Sequence, residues 1–170
     1  MIDLEIRPAT NNDRNVVLSL LKDAALWLQE NCIDYWQTWL DPTGEPFRWA
    51  NKGLDNGEFF LVESDGSCIG CFRLQFSDEL FWGKRTEPAG YVHSMTIERS
   101  LKGQGIGRLL LAMIEAGLRA DGKHYLRLDC GSNVAGLRRY YESCGFRAVG
   151  ETCVAGEDLT LYEKLISTKA

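Results

Sequence analysis

The chain is poor in histidine, has no basic excess and contains no long apolar run. Only His93 and His124 occur among its 170 residues. The Cys68/Cys71 pair therefore lacks the second pair, or the spaced histidines, that a four-ligand zinc site requires, and no metal is expected. The pair lies in a strand-like run, Cys68 to Phe76, where an odd offset sends the two side chains to opposite faces. Lys and Arg total 19 against 24 Asp and Glu, a net charge of -5. That balance excludes the basic footprint that nucleic acid rewards and is compatible with a cationic small substrate. No segment reaches the roughly 18 apolar residues that span a bilayer, so no membrane partner is expected. Asp3 and Glu5 at the start argue against a signal peptide. The six cysteines are accordingly expected to be reduced thiols in a cytoplasmic protein.

What is present is an average globular composition, 45% hydrophobic and 25% charged, and a length that suits one domain over residues 1–170. Leu4 to Arg7 alternates as a first strand. Thr10-Asn11-Asn12-Asp13 reads as a capping box, followed at helical spacing by Val16, Val17, Leu20, Leu21, Ala24 and Leu28. An aromatic-rich segment spans Ile33 to Leu40, and a short helix is expected over Trp49 to Leu54. Phe59 to Glu63 and Cys68 to Phe76 form a hairpin through Ser64-Asp65-Gly66-Ser67. A loop containing Phe81 and Trp82 leads to a strand over Tyr91 to Glu98. The helix from about Gly105 to Ala120 carries the stripe Ile106, Leu110, Ile114 and Leu118. His124 to Asp129 is a strand, Val134 to Cys144 a helix stopped by Gly145, and Phe146 to Thr152 and Leu159 to Ile166 are the last strands. The order predicts an α/β or α+β fold with a mostly antiparallel start.

Lys102-Gly103-Gln104-Gly105-Ile106-Gly107-Arg108 lies between a strand and a strong helix. A helix start offers unpaired N–H groups and partial positive charge, and glycines let an anion approach the backbone. Lys102 and Arg108 add positive charge on either side. A Walker loop does not fit, because GxxxxGK[ST] is absent. A dinucleotide fingerprint fails at its third glycine, where Leu110 or Arg108 stands depending on the frame. The third pattern, [RQ]xxGx[GA], matches with Lys102 in place of Arg or Gln.

That turn, together with Asn133, Tyr141-Glu142 and Gly145-Phe146 in the segment Leu126 to Phe146, and with the strand Tyr91 to Ile97 before it, resembles the GNAT N-acetyltransferase family over about residues 90–150. Residues 1–80 agree only in element order. The resemblance implies a central mixed, mostly antiparallel sheet, splayed between the fourth and fifth strands and flanked by helices. It implies acetyl-CoA as cofactor, with pantetheine along Met95, Thr96 and Ile97 and pyrophosphate on the backbone from Lys102 and Gly103 to Arg108. Asn133 would sit near the pantetheine and Tyr141 near the thioester sulfur. Family members are often dimers, so a homodimer is an assembly the resemblance allows.

Direct attack of an amine on the thioester sets three needs. An alkyl ammonium with a pKa of about 10.4 must lose a proton. The oxyanion needs a donor, such as a backbone N–H of Met95–Ile97. The departing thiolate needs a proton. Tyr141 is the candidate acid, with Tyr140 the fallback and a core tyrosine the alternative. His93 is the candidate base, directly or through water; alternation puts it on one strand face with Met95 and Ile97 and puts Glu98 on the other. A hydrogen-bonded sheet histidine is the equal alternative. Asn133 also suits a helix N-cap. Cys130 is read as a structural thiol rather than an acyl carrier.

Trp27, Tyr35, Trp36 and Trp39, with Phe47 and Trp49, lie where the family builds the acceptor wall, and aromatic faces hold cations. Phe81 and Trp82 are a second candidate wall. The expected reaction is acetyl transfer to a primary amine of a small polar metabolite or antibiotic. A protein N-terminal or lysine acceptor, and a non-catalytic acyl-CoA-binding module, are the alternatives. A toxin acting on aminoacyl-tRNA would want a basic face, and an NAD-binding oxidoreductase would want the missing glycine.

Overall fold

The computed structural model describes residues 3–166. In chain order the elements are β1 (Glu5–Pro8), α1 (Arg14–Glu30), α2 (Glu45–Asp55), β2 (Phe59–Ser64), β3 (Ser67–Gln75), α3 (Glu79–Trp82), β4 (Ala89–Ile97), α4 (Ile106–Ala120), β5 (Tyr125–Gly131), α5 (Ala135–Ser143), β6 (Arg147–Val154) and β7 (Glu157–Leu165). Short 3-10 turns cover Asn11–Asp13, Gln37–Leu40 and Arg99–Leu101. The strands form one sheet in the order β1-β2-β3-β4-β5-β7-β6. β4 and β5 run parallel, whereas β1 with β2, β2 with β3, β5 with β7 and β6 with β7 run antiparallel. The parallel ladder is short, Ala89–Val92 on Tyr125–Leu128, consistent with the expected splay. The expected mixed, mostly antiparallel α/β sheet is the observed one.

The chain comprises two compact units. The first holds the described residues up to Leu74 and Ser94–Gly107; the second holds Gln75–His93 and the described residues from Arg108 on.

In the first unit, the capping box forms as the sequence predicts. The Asp13 carboxylate accepts from the Thr10 N–H and hydroxyl, both at 2.8 Å. Arg7 also bonds Asp13, and the guanidinium together with the Thr10 donors holds the Asp13 carboxyl well below the ordinary range. α1 buries Val17, Leu21, Ala24, Ala25 and Leu28; Val16, expected on that stripe, is exposed. Trp39, Phe47, Ala50, Leu54, Phe59, Leu61 and Cys71 complete the core. α2 starts at Glu45, four residues before the expected Trp49, because Gly44 caps it and Pro46 sits in the first turn, where a missing N–H costs nothing.

Asp65 and Gly66 both take left-handed φ, 50° and 74°, as the two-residue Asp-Gly hairpin requires. A bulge follows: Val62 pairs with Gly70, but Glu63 pairs with Cys68, leaving Ile69 extra. The extra residue resets the alternation. Cys71 is buried in the core and Cys68 packs against the same core, correcting the expectation of opposite faces. Both remain free thiols.

In the second unit, Leu110, Ile114 and Leu118 of α4 are buried as the stripe predicts. Gly90 accommodates Leu118, whose Cδ2 would lie 2.5 Å from any added Cβ. Leu126 and Leu128 of β5 are buried beside Arg127, which donates to Glu163 at 2.8 Å and to the Tyr91 hydroxyl at 2.9 Å. Phe81 and Trp82, expected in a loop, belong to the one-turn helix α3, and the Asp78 carboxylate caps it by accepting from the Phe81 N–H at 3.3 Å. α5 begins after Val134, so Asn133 stands one residue outside the cap it was expected to fill. The helix ends before Gly145, at φ 89°.

Candidate active site

In the first unit, residues from Lys102 to Gly105 are exposed and lead directly into α4. Gly103 and Gly105 have φ of 85° and 77°, and a Cβ at either position would meet nothing within 4 Å. The turn is thus held by backbone conformation with open space in front, as an anion cradle at a helix start requires. Gln104 is exposed, Ile106 is buried under the turn and Gly107 is half-buried.

Thr96 and Ile97 of β4 share a groove with Trp27 of α1, and Asp23, Glu30 and Glu98 give that groove three carboxylates. Trp27 is not placed with the other aromatics. Its ring lies under Arg99, 4.2 Å from Cζ to the centroid, with the Lys102 Nζ at 5.0 Å. Tyr35 and Trp36 are half-buried, with ring centroids 5.9 Å apart, whereas Trp39 is a core residue, 6% exposed. Trp36 is partly buried and packs against the same core as Trp39. The Trp49 face is covered by Arg73 at 3.8 Å.

In the second unit, His93 is buried. Its Nε2 lies 2.8 Å from Asp78 Oδ2 and its Nδ1 lies 3.3 Å from Asp129 Oδ2. The Phe81 ring packs on the imidazole at 4.7 Å. Asp129 Oδ2 is buried and has no hydrogen-bond partner among the described residues. Burial raises the Asp129 carboxyl to about 6; His93 opposes that rise, while Asp78 and Glu157 add to it. Asp78 and Asp129 were not singled out from sequence. Asp78 carried a readable signal, an N-cap aspartate just before Glu79; Asp129 carried none, because its meeting with His93 is 36 residues away in the chain.

Ser94, next to His93, takes a left-handed φ of 50° within β4. A strand residue in that conformation interrupts the two-residue period, so alternation does not carry a shared face from His93 to Met95 and Ile97 as expected. Tyr141 is buried against Phe146 and Tyr162, with centroids at 5.9 and 6.1 Å. Burial, and then Cys144, push the Tyr140 hydroxyl up to about 12. Cys130 is fully buried and its thiol is pushed up to about 12, chiefly by burial, which leaves no thiolate for acyl transfer. Asn133 is exposed. Arg108 is committed to Ser143 through two hydrogen bonds. Trp82 is 4% exposed, packed on Tyr91 in a small core, so it offers no free wall.

Among the described residues, no set of three or more His, Cys, Asp or Glu side chains is arranged to hold a metal ion, and no helix is long and apolar enough to cross a membrane. A glycine turn opens α4, and β4 and β5 pair through a short parallel ladder, as the resemblance to the GNAT family implies. The sequence profile of the acetyltransferase (GNAT) family matches residues 23–146, and the chain belongs to that family. It is 26% identical over 167 residues to the uncharacterized N-acetyltransferase YesJ of Bacillus subtilis strain 168, covering 95% of this chain and 90% of that protein. It is 25% identical over 124 residues to the aminoglycoside N(6')-acetyltransferase type 1 of Stenotrophomonas maltophilia, covering 73% and 80%. A GNAT acetyltransferase from Listeria monocytogenes 4b F2365 has the same fold, with a TM-score of 0.78, 24% identity and coverage of 95% and 94%. The protein is an N-acetyltransferase and acetyl-CoA is its cofactor.

Proposed function

We propose that this enzyme acetylates a primary amine of a small polar metabolite or antibiotic by direct attack of the neutral amine on the thioester. The observation that carries this reading is the first unit's groove, where Asp23, Glu30 and Glu98 lie beside Thr96 and Ile97. With Arg99 on the same lining, the three carboxylates leave the groove net negative, which draws an ammonium. The aminoglycoside N(6')-acetyltransferase relative is in keeping with it. Trp27, which lines the groove, and half-buried Tyr35 and Trp36 are the remaining aromatic candidates, since Trp39 and Trp82 are core residues.

Acetyl-CoA supplies the acetyl thioester. Backbone groups of Met95, Thr96 and Ile97 orient the pantetheine. The cradle from Gly103 to Gly107, with Lys102, holds the pyrophosphate, and its open glycines fit that task. Arg108 braces the cradle's helix rather than touching phosphate. Asn133 steadies the pantetheine end, Tyr141 returns a proton to the leaving thiolate, and His93 takes the amine's proton. Free-thiol release from acetyl-CoA across aminoglycosides, polyamines, amino acids and short peptides tests the acceptor. Release with small polyamines or aminoglycosides alone is expected. Release with peptides alone overturns the small-molecule acceptor in favour of a protein one. Silence in protein that binds CoA points to a binding module.

A further inference from the structure

Asp78 Oδ1 accepts from the Phe81 N–H at 3.3 Å, and Asp78 Oδ2 lies 2.8 Å from His93 Nε2, with one proton between the two atoms. With Asp78 as the carboxylate, that proton belongs to Nε2. In neutral His93 the remaining nitrogen, Nδ1, is then a lone pair. Facing it at 3.3 Å is the buried, unbonded Oδ2 of Asp129. Two lone pairs that close, both about nineteen-twentieths buried, repel strongly, and one proton between them removes the repulsion.

We infer that His93 and Asp129 hold one proton between them and act as a single base, with Asp78 as the positioning residue that fixes the Nε2–H tautomer. The catalytic part of this inference rests on the reading of His93 as the base of acetyl transfer. The pair is a base in the form that has given up this shared proton: the substrate's ammonium N–H bond breaks, its proton fills the vacant place between Nδ1 and Oδ2, and the electron pair stays on the substrate nitrogen for the new C–N bond.

The surroundings suit such a pair. Asp78 faces it from the start of α3 and Glu157 from the start of β7, and both carboxylates raise the proton affinity of Asp129. Cys130, next along β5, adds no charge because its thiol stays protonated. The Phe81 ring closes the remaining side of His93 with an apolar face. Among the described residues, no cation other than His93 acts on Asp129. The proton therefore has a reason to stay near neutral pH and few competitors for its place.

The full chain has only two histidines, so a nitrogen-15 NMR titration resolves His93 with His124 as internal reference. In the unsubstituted protein, neutral His93 is expected as the Nε2–H tautomer. Asp129→Asn is expected to lower the His93 protonation midpoint at least tenfold in proton concentration and leave His124 unmoved. It should also carry the acid limb of kcat/KM down in pH by the same amount, with at least a tenfold loss of plateau rate. Asp78→Ala is expected to mix the tautomers, and Asp78→Asn, whose side-chain oxygen still accepts, to restore them.

An Nδ1–H tautomer in the unsubstituted protein overturns the inference, and so does an unmoved midpoint in Asp129→Asn. A midpoint that moves while the acid limb stays put overturns the catalytic role of the pair. If no amine supports turnover, the acceptor reading fails, while the titration, which needs no substrate, still decides proton sharing. If Asp129→Asn does not fold, the Nδ1 shift of the unsubstituted protein decides it: a shift midway between a protonated and a bare ring nitrogen supports sharing, and a bare one overturns it.

Discussion

Arg108, in the first turn of α4, donates from Nη1 to the Ser143 carbonyl at 2.8 Å and from Nη2 to the Ser143 hydroxyl at 2.9 Å. Ser143 is the last residue of α5, so a cation satisfies one of that helix's orphan carbonyls. The side chain is exposed, which keeps its worth small. Arg108→Ala is expected to cost about 1 kcal/mol in denaturant unfolding. The Lys102 ammonium lies over the Trp27 ring, 5.0 Å from its centroid. Lys102→Ala should therefore raise the KM for acetyl-CoA more than Arg108→Ala does, and steady-state kinetics on both variants checks the order.

Two glycines should respond in opposite ways to the same substitution. Gly105 has a left-handed φ and open space around it, so Gly105→Ala costs only the torsional term, about 1–2 kcal/mol. Its main effect should fall on the cradle, as at least a tenfold weaker Kd for CoA by calorimetry, with the fold intact. Gly70 has ordinary φ but lies against the Thr96 carbonyl oxygen and the Ile97 side chain. A methyl there meets backbone that cannot give way, and Gly70→Ala should destabilise by about 3 kcal/mol. Equal losses of stability in the two variants would show that the Gly105 turn is structural first.

The aromatic segment separates packing from recognition. Trp39 is packed in the core with Phe47 at 5.9 Å, so Trp39→Ala should cost about 3–5 kcal/mol of stability. Trp36 is half-buried, in a left-handed conformation that starts the 3-10 turn. Trp36→Ala should cost far less stability and raise the KM for the amine severalfold while leaving that for acetyl-CoA unchanged. Thermal unfolding and two-substrate kinetics on both variants test the division.

The parts of this molecule written locally were legible. The α4 stripe, the Thr10–Asp13 box, the Asp65-Gly66 turn and the Gly145 stop each depend on residues within one or two turns of chain, and each formed. The glycine cradle was legible for the same reason. Bulges were not. The extra residue at Ile69 exists only relative to the pairing of Val62 and Glu63 on β2, and the turn of Ser94 has no glycine to announce it. The Ile69 bulge reset a face that alternation had assigned, which is why Cys68 joined Cys71; the left-handed φ of Ser94 interrupts the strand period between His93 and Met95. Burial decided the aromatics in the same non-local way: Trp82 and Trp36 look alike in sequence, but one closes a core and the other stays half-exposed.

Asp129 should also leave a signature in stability. Its carboxyl, ordinarily near 3.9, is raised to about 6 in the folded protein, first by burial. A carboxyl raised on folding contributes stability that is fully present below its unfolded value and is lost as pH rises through its folded one. Between about pH 4 and pH 6 the folded state therefore binds more protons than the unfolded state, and this group makes the protein less stable as pH increases. Asp129→Asn removes the charge without changing shape, and the amide can donate to His93 Nδ1. The variant should be close to the unsubstituted protein at pH 4.5 and more stable by about 1–3 kcal/mol at pH 8, while acetyl transfer falls. Thermal unfolding at the two pH values reads the difference. A gain in stability with a loss of turnover marks a buried carboxylate kept for chemistry at a cost to the fold; a loss of stability at pH 8 would mean that His93 more than compensates the buried charge, and that Asp129 is held there as half of an ion pair.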